Sequence, residues 1–106
     1  MIHVNSHTDP TVLKEEITVG HRVTLHGCYV ERGSLIGIGA ILLDGVRVGA
    51  QSLVAAGSLL TPGTQIPPRS LVMGAPAKVK RELTADEVAG LDRSWRNYVE
   101  LKQKHI

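Results

Sequence analysis

Val30-Glu31-Arg32-Gly33-Ser34-Leu35-Ile36-Gly37-Ile38-Gly39-Ala40-Ile41-Leu42-Leu43-Asp44-Gly45-Val46-Arg47-Val48 carries an aliphatic residue at every sixth place: Val30, Ile36, Leu42 and Val48. The register holds through Val54, Leu60, Ile66 and Val72. Four residues after each aliphatic comes Ser34, Ala40, Val46, Ser52, Ser58, Thr64 or Ser70, small or β-branched every time, and glycine follows directly at Gly37 and Gly49. A helix needs a period near 3.6 and a flat strand a period of 2, and neither describes this pattern. Period six belongs to a coiled parallel β-structure in which each repeat supplies one short strand and one corner. Aliphatic side chains then stack along the axis while small ones pass the corners. Three sixes close a triangular coil, so residues eighteen apart stack at roughly the 4.8 Å strand spacing. Residues 1–74 are expected to form this β-helix in about four coils.

Composition agrees with a narrow interior. Of the 106 residues 42% are hydrophobic but only 3% are aromatic, with no phenylalanine. Rings normally supply much of a core's buried area, so a core of Val, Ile, Leu and Ala implies a channel too tight for them. The length allows one domain. A net charge of +2 with mixed signs gives no footprint for nucleic acid or a membrane surface. One cysteine, Cys28, excludes an internal disulfide and fits a reducing compartment, and no apolar run reaches the ~18 residues of a membrane span. The expected location is the cytoplasm.

Upstream of the regular repeat, Val19-Gly20-His21-Arg22-Val23-Thr24-Leu25-His26-Gly27-Cys28 sets two histidines five residues apart, and His3 precedes His21 by eighteen. Imidazole is the commonest metal ligand among side chains, and three such nitrogens with an open fourth position make a catalytic zinc site. The register slips here: Val19 and Leu25 share one phase, and Val30 opens another after a step of five. Asn5-Ser6-His7-Thr8-Asp9-Pro10 is polar, contains proline and reads as a loop. With about five residues bulged out there, His26 stacks on His3; with none, His21 does. In either case two imidazoles of one chain meet and the third lies at another edge. One cation collects all three only with help from a neighbouring subunit, most simply in a cyclic homotrimer.

After the repeat, Met73-Gly74-Ala75-Pro76-Ala77-Lys78 breaks the coil, and residues 75–83 are expected as a linker. Thr84-Ala85-Asp86-Glu87 is a capping box. A helix from about Ala85 to Lys104, within a closing segment 84–106, is expected to lay Val88, Leu91, Trp95, Tyr98 or Val99, and Lys102 on the β-coil.

These residues together resemble the gamma-class carbonic anhydrase family and its bacterial hexapeptide-repeat homologues. The resemblance runs nearly the full length: Ile2-His3-Val4, Val19-Gly20-His21, Leu25-His26-Gly27-Cys28, Leu35-Ile36-Gly37-Ile38-Gly39-Ala40, Leu43-Asp44-Gly45, Gly74-Ala75-Pro76-Ala77-Lys78 and Asn97-Tyr98-Val99. It implies an all-β left-handed parallel β-helix with one C-terminal helix. It also implies a homotrimer with a zinc-type cation at each subunit interface, iron and cobalt being the substitutes. Carried over residue by residue, the ligands are His3 and His26 of one subunit and His21 of its neighbour. Members of that family carry further coils ahead of the first ligand histidine, with an Arg-Gly-Asp-type stretch and an Asn/Gln/Asp stretch that orient the metal's water. This chain starts at Met1, two residues before His3, without those positions, and is expected to be either a natural short form or a fragment. The loss of such partners typically costs ~10–100-fold in affinity or activity, so weak or absent turnover is expected.

The implied chemistry is reversible hydration of CO2 to bicarbonate by metal-bound hydroxide. His7 is the residue with a suitable ordinary pKa to carry the proton away, and Tyr98 is a candidate to approach the metal's water. Glu15 and Glu16 read as a solvated corner, Cys28 as packing and His105 as a terminal residue without a role. Two other classes remain: a metal-stabilised structural trimer without turnover, and a hexapeptide acyltransferase using coenzyme A with one general-base histidine.

Overall fold

The computed structural model describes residues 2–5 and 11–93, the first of these segments by its backbone alone. The first rung comprises β1 (Ile2–Asn5), β2 (Val12–Leu13) and β3 (Thr18–Val19). The second comprises β4 (Val23–His26), β5 (Tyr29–Val30) and β6 (Leu35–Ile36). The third holds β7 (Ile41–Leu42), β8 (Arg47–Val48) and β9 (Leu53–Val54), and the fourth β10 (Leu59–Leu60), β11 (Gln65–Ile66) and β12 (Ser70–Gly74). Every third strand pairs in parallel, giving three faces: β1-β4-β7-β10, β2-β5-β8-β11 and β3-β6-β9-β12. The molecule is a parallel β-solenoid, as the period of six requires.

From the second rung on, each two-residue strand buries one of its residues. Leu25, Val30, Ile36, Leu42, Val48, Val54, Leu60 and Val72 are all fully buried, and Ile66 nearly so. Burial of such side chains contributes about 1.5–3 kcal/mol each. Tyr29, the one Tyr or Trp ring among the described residues, lies outside the core on the second face, with the Arg47 guanidinium 4.4 Å and the Lys14 ammonium 5.5 Å from its ring centre. Glycine after an aliphatic has a steric cause. A Cβ on Gly37 would fall 2.6 Å from the Ala56 nitrogen, and one on Gly49 2.5 Å from the Pro68 nitrogen, because the next rung passes directly against each.

The small corner residues form a polar spine. The Ser34 hydroxyl donates to the Gly49 carbonyl at 3.1 Å and accepts from the Ser52 amide at 3.2 Å. Ser52 repeats the pattern, donating to the Pro67 carbonyl at 3.2 Å and accepting from the Ser70 amide at 3.1 Å. All three serines are buried. Ser52→Ala leaves the Ser70 amide without its acceptor, and equilibrium unfolding is expected to show a loss of about 1–3 kcal/mol.

The register slip is real. Val19 pairs with Ile36 and Leu25 with Leu42, seventeen apart, whereas Val30 pairs with Val48, eighteen apart. The larger irregularity lies in the first rung, where Val4 pairs with Leu25, twenty-one apart. The excess over eighteen is therefore three residues, neither five nor none. His3 accordingly pairs with Thr24, and Asn5 with His26. Both expected stackings of a histidine on His3 are corrected by this register.

At the other end, part of the segment expected as a linker is a strand. After Gly74 the chain reverses and β13 (Ala77–Glu82) runs antiparallel to β12. Its exposed Lys78, Lys80 and Arg81 give that sheet a charged last strand, which discourages pairing with another chain. A helix, α1, follows over residues 85–93; the remainder of the expected helix lies outside the described residues. Leu83 and Leu91 are buried. Ala85, Val88, Ala89 and Asp92 of α1 line a cleft with Glu16, Arg32 and Gln51, the column of corners between the second and third faces. Among the described residues no helix is long and apolar enough to cross a membrane.

The capping box forms as its sequence predicts: the Glu87 amide donates to the Thr84 hydroxyl at 3.2 Å, and the Thr84 amide donates to the Glu87 carboxylate at 2.9 Å. Arg81 adds a two-pronged pair to the same carboxylate at 2.6 and 2.8 Å. Chiefly through Arg81, and then through the Thr84 amide, the Glu87 pKa is lowered from 4.5 to about 2. A depressed carboxylate pKa contributes stability that is present above the ordinary value and fades as pH falls through the depressed one. The start of α1 is thus expected to loosen between pH 4.5 and about 2, read from amide exchange at residues 84–88. Glu87→Gln should abolish that pH dependence.

Candidate metal centre

His21 occupies the turn between the third and first faces, and its side chain is exposed. Its carbonyl accepts from the Gly39 amide of the next rung at 2.9 Å, which fixes the corner while leaving the imidazole to solvent. His26 ends β4, at the corner where the chain passes to the second face. Successive side chains on a strand alternate between faces. Val23 and Leu25 point in, so Thr24 and His26 point out, and His26 is half-buried. Its Nδ1 lies 2.5 Å from an oxygen of Asp44, one rung away. Nε2 has no hydrogen-bond partner among the described residues.

The corner beside His26 is tied on both sides. The Gly27 amide donates to the Thr11 hydroxyl at 3.0 Å, and the Gly45 amide donates to the Gly27 carbonyl at 3.0 Å. Cys28 is buried here, and burial pushes its thiol pKa up. A protonated thiol is neither a metal ligand nor a nucleophile, so Cys28 packs the corner. Glu15 and Glu16 lie at a corner as expected, Glu15 exposed and Glu16 3.9 Å from Arg32.

His21 and His26 therefore stand at opposite ends of one short strand, on different corners of the triangle. Among the described residues no three His, Cys, Asp or Glu side chains of one chain gather around a point. His3 is placed by register alone, opposite Thr24 and two positions short of His26. His7, Tyr98 and His105 lie outside the described residues. Asp44 was missed by the sequence reading as a partner of His26, although its position eighteen residues later was a usable signal. The donor set fits a zinc-type cation in its chemistry: imidazoles, one with a ring nitrogen engaged by a carboxylate, the usual outer partner of a metal-bound histidine.

Fold and repeat define a hexapeptide-repeat protein. A solved structure from Bacillus cereus, whose name suggests an acetyltransferase, matches with TM-score 0.91 and 42% identity over 98% of this chain and 60% of its own. A carbonic anhydrase of Geobacillus kaustophilus is 51% identical over 92% of this chain and 54% of its own length. Gamma carbonic anhydrase 2, mitochondrial, of Arabidopsis thaliana is 45% identical over 91% of this chain and 34% of its own. No family model matches the chain. The chain belongs to the gamma-carbonic-anhydrase-like family of hexapeptide-repeat proteins. It spans about half the length of the Geobacillus relative and about a third of the Arabidopsis one.

Proposed function

We propose that the chain forms a cyclic homotrimer that catalyses reversible hydration of CO2 at a zinc-type cation shared between subunits. The observation carrying this reading is His26 at a solvent-facing corner, with Nδ1 held by Asp44 and no partner on Nε2 among the described residues, in a chain half identical to a carbonic anhydrase. His3 and His26 of one subunit and His21 of its neighbour would hold the cation. When bound, such a cation acidifies its water and so supplies a nucleophile for CO2 near neutral pH. Three neutral imidazoles leave the site's charge at that of the ion, which favours that acidification.

Separation of His21 from His26 within one chain supports sharing, because only a neighbour can close the distance. So does the surface around His21. Ile38, in the same column of corners one rung on, is 57% exposed, and Ala56 and Gly57 continue that column. An apolar column of this kind suits burial against a second copy. Tyr98 as a candidate partner of the water and His7 as a candidate carrier of the proton complete the proposal. The single free thiol supports a reducing, cytoplasmic setting.

The second reading, an acyltransferase, is favoured by the Bacillus cereus match and needs one histidine as base and no metal. Metal content of the purified protein separates the two, with one ion per subunit expected. CO2 hydration is then measured by stopped flow with zinc in excess, and a rate above buffer is expected. Bound metal without such a rate leaves the structural trimer.

A further inference from the structure

We propose that Asp44 is the positioning residue for His26, holding its imidazole in the Nδ1–H form with Nε2 directed outward to the cation. This deepens the reading given under Proposed function and rests on it. Two facts carry the proposal, and the first is contact: Asp44 Oδ1 lies 2.5 Å from Nδ1 of His26, and an ionised carboxylate can only accept, so the shared proton belongs to the ring nitrogen. An imidazole with its proton on Nδ1 has its lone pair on Nε2, and a lone pair is what a cation binds.

The second fact is that the backbone places the two residues side by side on adjacent rungs. Asp44 and His26 each directly precede a glycine, and those two glycines are joined by the bond from the Gly45 amide to the Gly27 carbonyl. The Val46 amide closes a four-residue turn onto the Leu43 carbonyl at 3.2 Å, with Asp44 and Gly45 as its central pair. Gly45 has φ of +75°, the left-handed conformation that such a turn demands at its third position. A Cβ there would meet nothing closer than 3.5 Å, so glycine serves the torsion and not the space. The turn thus carries the carboxylate to one place, beside the rung above. An incidental surface pair of flexible chains has no such support. Among the described residues Asp44 joins no other ion pair, so its carboxylate is engaged by His26 alone.

The test uses the full chain. Zinc affinity is measured by chelator competition for wild type, Asp44→Ala and Asp44→Asn, and the tautomer of His26 by long-range proton–nitrogen NMR in the metal-free protein. Asp44→Ala is expected to weaken zinc binding about 10–100-fold and to release His26 from the Nδ1–H form. Asp44→Asn, whose amide oxygen still accepts from Nδ1, should recover most of the affinity and the tautomer. A carboxylate that only stabilises the fold would lower the melting temperature while leaving zinc affinity of the folded protein within twofold, and that result overturns the proposal. So does wild-type His26 carrying its proton on Nε2. A wild-type chain that takes up no zinc fails the metal-site reading first, and it is told apart because it precedes any comparison of variants.

Discussion

His21→Ala is expected to strip the metal from every site of the assembly and lower zinc affinity by more than the ~100-fold that an outer partner is worth. The reason is geometric. Within one chain His21 precedes β4 and His26 ends it, so in the proposed shared site the loss of His21 from one subunit would empty the site built on its neighbour. His26→Ala should empty sites to the same extent. The decisive measurement mixes the two defective proteins. In a trimer reassembled from equal parts of His21→Ala and His26→Ala chains, a site is whole wherever an intact His26 faces an intact His21. Random assembly around a head-to-tail ring makes that so at about a quarter of the interfaces. Metal content and CO2 hydration should both return to about that fraction of wild type. A site contained within one chain returns nothing on mixing, and that outcome refutes the shared centre. Separately, equilibrium sedimentation showing only monomer at micromolar concentration would refute the trimer.

Leu42→Ala is expected to cost about 3–5 kcal/mol, the upper part of the range for leucine truncation in a core. Leu42 is fully buried and pairs with Leu25 above and Leu60 below. The cost depends on how far the surroundings can collapse into the space left. Here the walls are backbone rungs bonded to one another, such as the Thr24 amide to the Ala40 carbonyl at 3.0 Å, and they cannot move inward without breaking that ladder. Against a total stability of about 5–15 kcal/mol for a domain, this change brings the chain near unfolding. Urea unfolding should show the midpoint falling with the slope unchanged. Leu42→Ile, which keeps the volume, should lose less than about 1.5 kcal/mol. A loss below about 1 kcal/mol for Leu42→Ala would mean the axis is deformable, contrary to its packing.

Much of the solenoid was legible because its rule is local and repeated. Each six residues state the same choice again, an aliphatic inward and a small residue at the corner, so the pattern does not depend on any one repeat. The capping box at Thr84 was legible for the same reason, since its two bonds span three residues. Strand β13 was not. Ala77-Lys78-Val79-Lys80-Arg81-Glu82 carries little apolar pattern, and it is a strand because the edge of β12 offers it backbone partners. Arg81 on Glu87 escaped notice likewise, because it depends on how the chain turns from that strand into α1.

The metal centre divides along the same line. Which residue types are present, and that His3 precedes His21 by one coil length of eighteen with His26 five residues on, can be read from the residues alone. That His3 faces Thr24, and not another histidine, rests on a three-residue excess in the offset between β1 and β4, which no periodic rule in the sequence specifies. That Asp44 meets His26 also required the folded coil, because a turn on one rung and a strand end on another become neighbours only when the winding stacks them. The amino-acid order thus determined the winding, the inward column and the candidate ligands. Register and side-chain pairing were decided by the closed coil, where small offsets add from rung to rung and hydrogen bonds select among the stackings that the repeat allows.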